Sequence, residues 1–121
     1  MPDQEASATS ETPSVEHIEF YGGLVYLAAY LGAGAKPNRI RLQISGEFSL
    51  TDPDGGEAIL NTENPWPTMA ALLSLQYLPI EALKIDQRKV LHLRVGGWSL
   101  VVGPDEESWE LDGPWRELRV A

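Results

Sequence analysis

The amino-acid sequence predicts an α+β domain, mainly antiparallel β, built as a curved sheet or flattened barrel with one inserted helix. Three observations carry that expectation. Apolar residues recur at every second position in several short segments from Ile40 onward, the period of a strand with one face in a core. Gly96-Gly97 separates two such segments, the two-residue spacing of a tight hairpin. Only one stretch, behind Asn64-Pro65, combines a helix-start signal with apolar residues at helical spacing.

Taken in chain order, residues 17–20 and 24–30 read as two strands broken by Gly22-Gly23, or as one longer strand with a glycine bulge. The run around Leu24, Val25, Tyr26, Leu27, Tyr30 and Leu31 also admits a short helix, because periodicity does not separate the two in so short a stretch. Strand is the favoured reading. Gly32, Gly34, Pro37 and Asn38 mark a loop. Ile40, Leu42 and Ile44 then alternate with Arg41 and Gln43, Gly46 interrupts, and Phe48 and Leu50 resume the alternation. Asp52-Pro53-Asp54-Gly55-Gly56 has the composition of a turn, which predicts that residues 57–60 pair back as a short strand.

The helix is expected to run from Pro65 through Thr68 to Tyr77, with Met69, Leu72, Leu73 and Gln76 at helical spacing and Ala70, Ala71 and Leu75 beside them in a broad stripe against a sheet, and to stop at Pro79. Residues 80–85, 90–95, 98–102, 108–111 and 117–120 read as further strands. Leu91, Leu93 and Val95 should share a buried face with Trp98, Leu100 and Val102, leaving His92 and Arg94 outside.

A chain of 121 residues is about one domain and one core. Residues 1–16 carry Asp3, Glu5, Glu11 and Glu16 without a basic residue, in a Ser, Thr, Ala and Pro background. Such a segment buries too little apolar area to offset chain entropy. The expected organisation is an acidic disordered tail over 1–16 and a single mainly-β domain over 17–121. The chain has no cysteine, which removes disulfides and thiolate chemistry and points to a reducing cytoplasm. Its start has neither the basic nor the apolar part of a signal peptide. No apolar run approaches the roughly 20 residues that span a bilayer.

Net charge is −9, from nine Lys and Arg against 18 Asp and Glu, and the cations are scattered. Nucleic-acid binding is therefore not expected, and a basic protein partner is. The acid is concentrated in two stretches free of cations. The first holds Glu47, Asp52, Asp54, Glu57 and Glu63; the second holds Asp105, Glu106, Glu107, Glu110 and Asp112, with Trp109 among them and Trp115 just beyond. Aromatic anchors ringed by charge are a feature of protein interfaces, so Asp52, Asp54, Glu57, Asp105, Glu106, Glu107, Trp109, Glu110 and Asp112 form the candidate partner-binding set. The competing reading makes the loops merely solvated and Trp109 a core residue alternating with Glu110.

Signs of catalysis are weak. The two histidines are His17 and His92, and His92 reads as a half-exposed strand residue rather than a general base. Asp52, Asp54 and Glu57 depart from the spacing of a calcium loop, and turn chemistry explains them better. Gly32-Ala33-Gly34 lacks the further glycine and helix of a phosphate loop. No catalytic residue, metal site or cofactor is expected.

The segments EFSLTDPDGGEAIL, PWPTMAALLSL and LHLRVGGWSLVVGPDEESWELDGP resemble a family of small bacterial proteins, common in actinobacteria, whose biochemical activity is not established. The resemblance spans about residues 39–114. It rests on Phe48, Leu50, Asp52, Pro53, Asp54 and Gly55 in one turn motif and on Pro104, Asp105, Trp109, Leu111 and Gly113 in another. These residues carry over as structural. The family's usual glycine-rich, tryptophan-ended C-terminus is replaced here by WRELRVA. In size and acidity its members are similar to immunity proteins that neutralise toxins by binding them. The resemblance thus implies a non-catalytic binding protein for a basic toxin or enzyme. Two alternatives stand beside it: a ligand-binding or catalytic barrel with an interior pocket lined by Tyr26, Tyr30, Trp98 and His92, and a self-associating structural or regulatory subunit.

Overall fold

Alternation of apolar and polar residues resolves into antiparallel strands throughout the computed structural model, which describes residues 13–31, 38–104 and 108–113. The strands are β1 (His17–Tyr21), β2 (Leu24–Leu31), β3 (Asn38–Ser45), β4 (Glu47–Thr51), β5 (Glu57–Asn61), β6 (Ile80–Ile85), β7 (Leu91–Val95), β8 (Trp98–Val102) and β9 (Trp109–Asp112). One helix, α1 (Pro65–Leu72), continues into a single 3₁₀ turn over Leu73–Leu75. The strands form two sheets, in the orders β1-β2-β3-β9 and β5-β4-β8-β7-β6. Neither sheet closes on itself, so of the two expected forms the structure takes the curved sheet rather than the flattened barrel, as a pair of sheets sharing one core.

Gly46 makes two sheets out of what reads as one run of alternation. It adopts φ +92, a left-handed conformation that favours glycine, and so breaks the ladder between β3 and β4. Its N–H donates to Thr62 Oγ1 at 2.7 Å, and the Thr62 N–H donates back to the Gly46 carbonyl at 2.9 Å. The reciprocal pair pins the crossover to the end of β5 and satisfies the hydroxyl of a buried threonine.

Strands β3, β4 and β7 send alternate residues into the space between the sheets, whereas β5 buries only Leu60 and an irregularity in β6 places its buried Ile80 and Leu83 three residues apart. Ile40, Leu42 and Ile44 on β3 face Leu91, Leu93 and Leu100 from the other sheet in one apolar cluster. Gly22-Gly23 and Gly96-Gly97 turn tight hairpins, β1–β2 and β7–β8, with all four glycines at positive φ. The helical and single-strand readings of residues 22–31 are thereby replaced by the hairpin. As expected from the alternation, Leu91, Leu93, Val95, Leu100 and Val102 are buried while Arg94 is exposed.

The helix departs from its expected form. Pro65 occupies the first turn, but Asn64 makes no side-chain cap; the approach to the helix is held instead by Asn61, whose Oδ1 accepts the Glu63 N–H at 2.9 Å in the preceding turn and whose carbonyl accepts the Thr68 hydroxyl at 2.8 Å. The helix tightens after Leu72, and i+3 spacing sends Leu75 rather than Gln76 inward. Leu73, expected on the buried stripe, is exposed instead.

The tail boundary also moves. Val15 is fully buried, its N–H donating to the Leu78 carbonyl at 2.9 Å and its carbonyl accepting from Tyr77 at 2.7 Å, while Ser14 bridges Pro79. One apolar residue with a backbone ladder is enough to hold residues 13–16 to the domain despite their composition. Residues 1–12, the loop expected at 32–37, the acidic residues 105–107 and the strand expected at 117–120 lie outside the described residues. Among the described residues, no helix is long and apolar enough to cross a membrane.

Candidate functional site

The residues that the sequence would place around an interior pocket do not converge. Tyr26 and Tyr30 point away from the core on the outer face of the first sheet, beside Arg41 and Arg39. His92 points away from it on the second sheet, cross-strand from Lys84 and Val101, and Trp98 packs at the core's margin. Residues expected to converge inside are therefore divided, with Tyr26 and Tyr30 on one outer surface, His92 on another and Trp98 at the edge of the core.

The two acidic stretches are likewise kept apart. Asp52 spends its carboxylate on its own turn, Oδ1 accepting the N–H groups of Asp54 and Gly56 at 2.9 Å each. That turn lies beside the β7–β8 hairpin, because Thr51 pairs with Ser99 and Pro53 lies against Gly97. Asp54 and Glu57 are exposed there. Trp109 sits at the opposite end of β7, where its Nε1 donates to the Lys89 carbonyl at 3.1 Å. It pairs with Ile44 and packs on the core, as the alternation with Glu110 allows, so it is not an exposed anchor. Glu110 and Asp112 are exposed on the other face of β9, opposite Gln43 and Arg41. The fold thus builds two separate acidic regions rather than one continuous surface; Asp105, Glu106 and Glu107 lie outside the described residues.

His92 Nε2 lies 3.3 Å from Asp86 Oδ2. The Asp86 carboxyl is held below the usual carboxylate range, chiefly by the Val90 N–H at 3.0 Å, with help from His92 and the Arg88 N–H. These bonds close the β6–β7 turn, so the contact reads as turn chemistry. Among the described residues, no three His, Asp or Glu side chains converge as a metal site would need.

The surface that composition did not flag is the outside of α1. Trp66 is 76% exposed, Leu73 53% and Tyr77 71%. Trp66 and Leu73 are two helical turns apart and so lie on one side. From Asn64 to Ile80 there is no charged residue, and between Arg41 and Lys84 there are six acidic residues and no basic one. Tyr77 is also conformationally marked, with φ +69 and its backbone N–H fixed to Val15. An aromatic side chain held left-handed and 71% exposed recovers little from packing to offset that strain. The sequence signal was available: the helical pattern contains more apolar residues than one buried stripe can use.

No family model matches the chain, and no curated protein and no solved structure shows significant similarity to it.

Proposed function

We propose that this protein is a non-catalytic protein-binding domain that docks a basic partner against the exposed face of α1. The observation that carries this reading is Trp66 at 76% exposure, aligned with Leu73, in a 17-residue stretch without charge that also holds the exposed Tyr77. Interface centres are distinguished by enrichment in Trp and Tyr together with loss of charge, and a few such residues supply most of the affinity. Glu63 is exposed just before the helix, whereas Glu81, exposed just after the connection to β6, is paired with Arg94 at 3.5 Å, so the negative field around this face comes from Glu63 and the net charge of −9. A partner with a basic rim around an apolar groove would be steered to this face and held by its aromatic residues. Neutralisation of a toxin or enzyme by occlusion is one use of such a surface.

Native mass spectrometry of the protein purified from its own host tests this reading. A complex with a basic protein that is lost in a Trp66→Ser/Tyr77→Ser variant of unchanged circular dichroism is the expected result. Free monomer alone, under conditions that preserve tight complexes, would overturn it. So would a complex indifferent to the substitutions, or a homodimer that dissociates on making them, which would assign the face to self-association.

A further inference from the structure

The outer face of the first sheet carries a second site of different chemistry, which does not involve Trp66 or Tyr77. Cross-strand register fixes its layout. His17, Ala28 and Arg41 form one row across β1, β2 and β3, with Glu19, Tyr26 and Gln43 in the row on one side and Tyr30 and Arg39 in the row on the other. Ala28 is only 7% exposed although it faces outward, because the larger residues around it rise past its methyl group. The result is a hollow of about 150 Å³ with Ala28 in its lining, beside the rings of Tyr26, Tyr30 and His17 and the side chains of Arg39 and Arg41.

The rings are held in place by one another and by charge. His17 meets Tyr30 edge-on, with centroids 6.2 Å apart and planes at 76°. The Arg41 guanidinium lies 4.6 Å from the centre of the Tyr26 ring. Such contacts pre-order the walls, so less side-chain freedom is lost when something binds.

The hollow is electrically polar. Glu19 stands at one end and Arg39 at the other. Arg41 faces Asp112 across the β3–β9 ladder, so the positive character is greatest toward Arg39. Among the described residues of the first sheet, Arg39 and Arg41 are the only Lys or Arg side chains, and both border this one depression in a chain of net charge −9. Guanidinium groups match carboxylate and phosphate oxygens. The volume is below the roughly 300–1,000 Å³ of drug-sized pockets and close to that of a cavity that holds one benzene ring.

We infer that this hollow binds a small oxyanion attached to a single flat ring, an aryl phosphate or aryl carboxylate. Its ring stacks against Tyr26 and Tyr30 over Ala28, and its oxygens point to Arg39. An acidic protein has little reason to gather an aromatic-walled arginine site on a sheet face unless an anion occupies it.

Titration of the full-length ¹⁵N-labelled protein with phenyl phosphate and, separately, with benzoate tests the assignment. Saturable amide shifts centred on His17, Ala28, Tyr30 and Arg39 are expected, with a dissociation constant on the order of 1 mM for at least one of the two. Arg39→Gln, at an exposed position, should weaken binding about tenfold or more while leaving the rest of the spectrum unchanged. Ala28→Leu should block it by filling the floor. Absence of saturable shifts with both compounds would overturn the proposal. So would equal binding of benzyl alcohol, which lacks the charge, equal binding of inorganic phosphate, which lacks the ring, or affinity unchanged in both variants.

Discussion

Trp109 donates its indole N–H to the backbone carbonyl of Lys89 at 3.1 Å, tying the edge of the first sheet to the β6–β7 turn of the second. Lys89 is one of two non-glycine residues at positive φ among the described residues, at +67, and its N–H is bonded to the Asp86 carbonyl. The tryptophan therefore caps a turn that is already tightly constrained. Replacing it with phenylalanine keeps most of the apolar contact and removes the donor. Trp109→Phe should cost about 0.5–1.5 kcal/mol in stability, read as a lower urea midpoint with an unchanged slope. An unaltered midpoint would mean that the bond contributes nothing.

Leu93 lies at the centre of β7, 2% exposed, paired with Leu83 and Leu100 on its two sides. A carboxylate there has no partner and no water, and the cost should exceed about 4 kcal/mol. Leu93→Asp should abolish the sheet signal in far-ultraviolet circular dichroism at 25 °C, whereas Leu93→Met should retain it.

Asp86 has its carboxyl pKa lowered in the folded protein, so its contribution to stability is present above the unfolded-state value of about 3.9 and is lost as pH falls through the lower folded value. Asp86→Asn mimics the protonated form. The gap in urea midpoint between wild type and Asp86→Asn should be open at pH 6 and close as pH drops below about 4. A gap that is constant from pH 6 to pH 3 would show that the carboxylate charge has no part in holding the turn.

Tyr77 separates stability from binding. Glycine at this position relieves the left-handed backbone strain at some entropic cost and keeps the N–H bond to Val15. Tyr77→Gly should leave thermal stability unchanged or raise it by up to about 1 kcal/mol, while weakening partner capture in the host. A loss of stability would instead make the ring a packing element and remove it from the proposed interface.

Much of the strand pattern was readable because it is local. Alternation at Ile40, Leu42 and Ile44, the Gly-Gly turns and the Asp52 turn each depend on neighbours within a few residues, and the structure contains all of them. The misread features involve competition between local signals and distant partners. Residues 13–16 look like tail until Val15 finds Leu78 and Tyr77. Leu73 looks buried until the helix tightens to a 3₁₀ turn and Leu75 takes the inward place.

The candidate surfaces were less legible for the same reason. A stretch rich in carboxylates is visible in one dimension, but whether two stretches meet depends on which strands pair. The β4–β5 turn and β9 belong to different sheets and lie at opposite ends of them. Tyr26, Tyr30, His17, Arg39 and Arg41 come from three strands, and only the ladder register sets them around Ala28.

By itself, then, the chain specified what each short segment wants: extended or helical, one side apolar, turning where glycine permits a left-handed backbone. Sheet membership, the crossing at Gly46 and the grouping of side chains on outer faces were decided by tertiary pairing. Hydrogen-bond ladders and core burial act between residues far apart in sequence, and a side-chain period of two is satisfied equally well by many different partners.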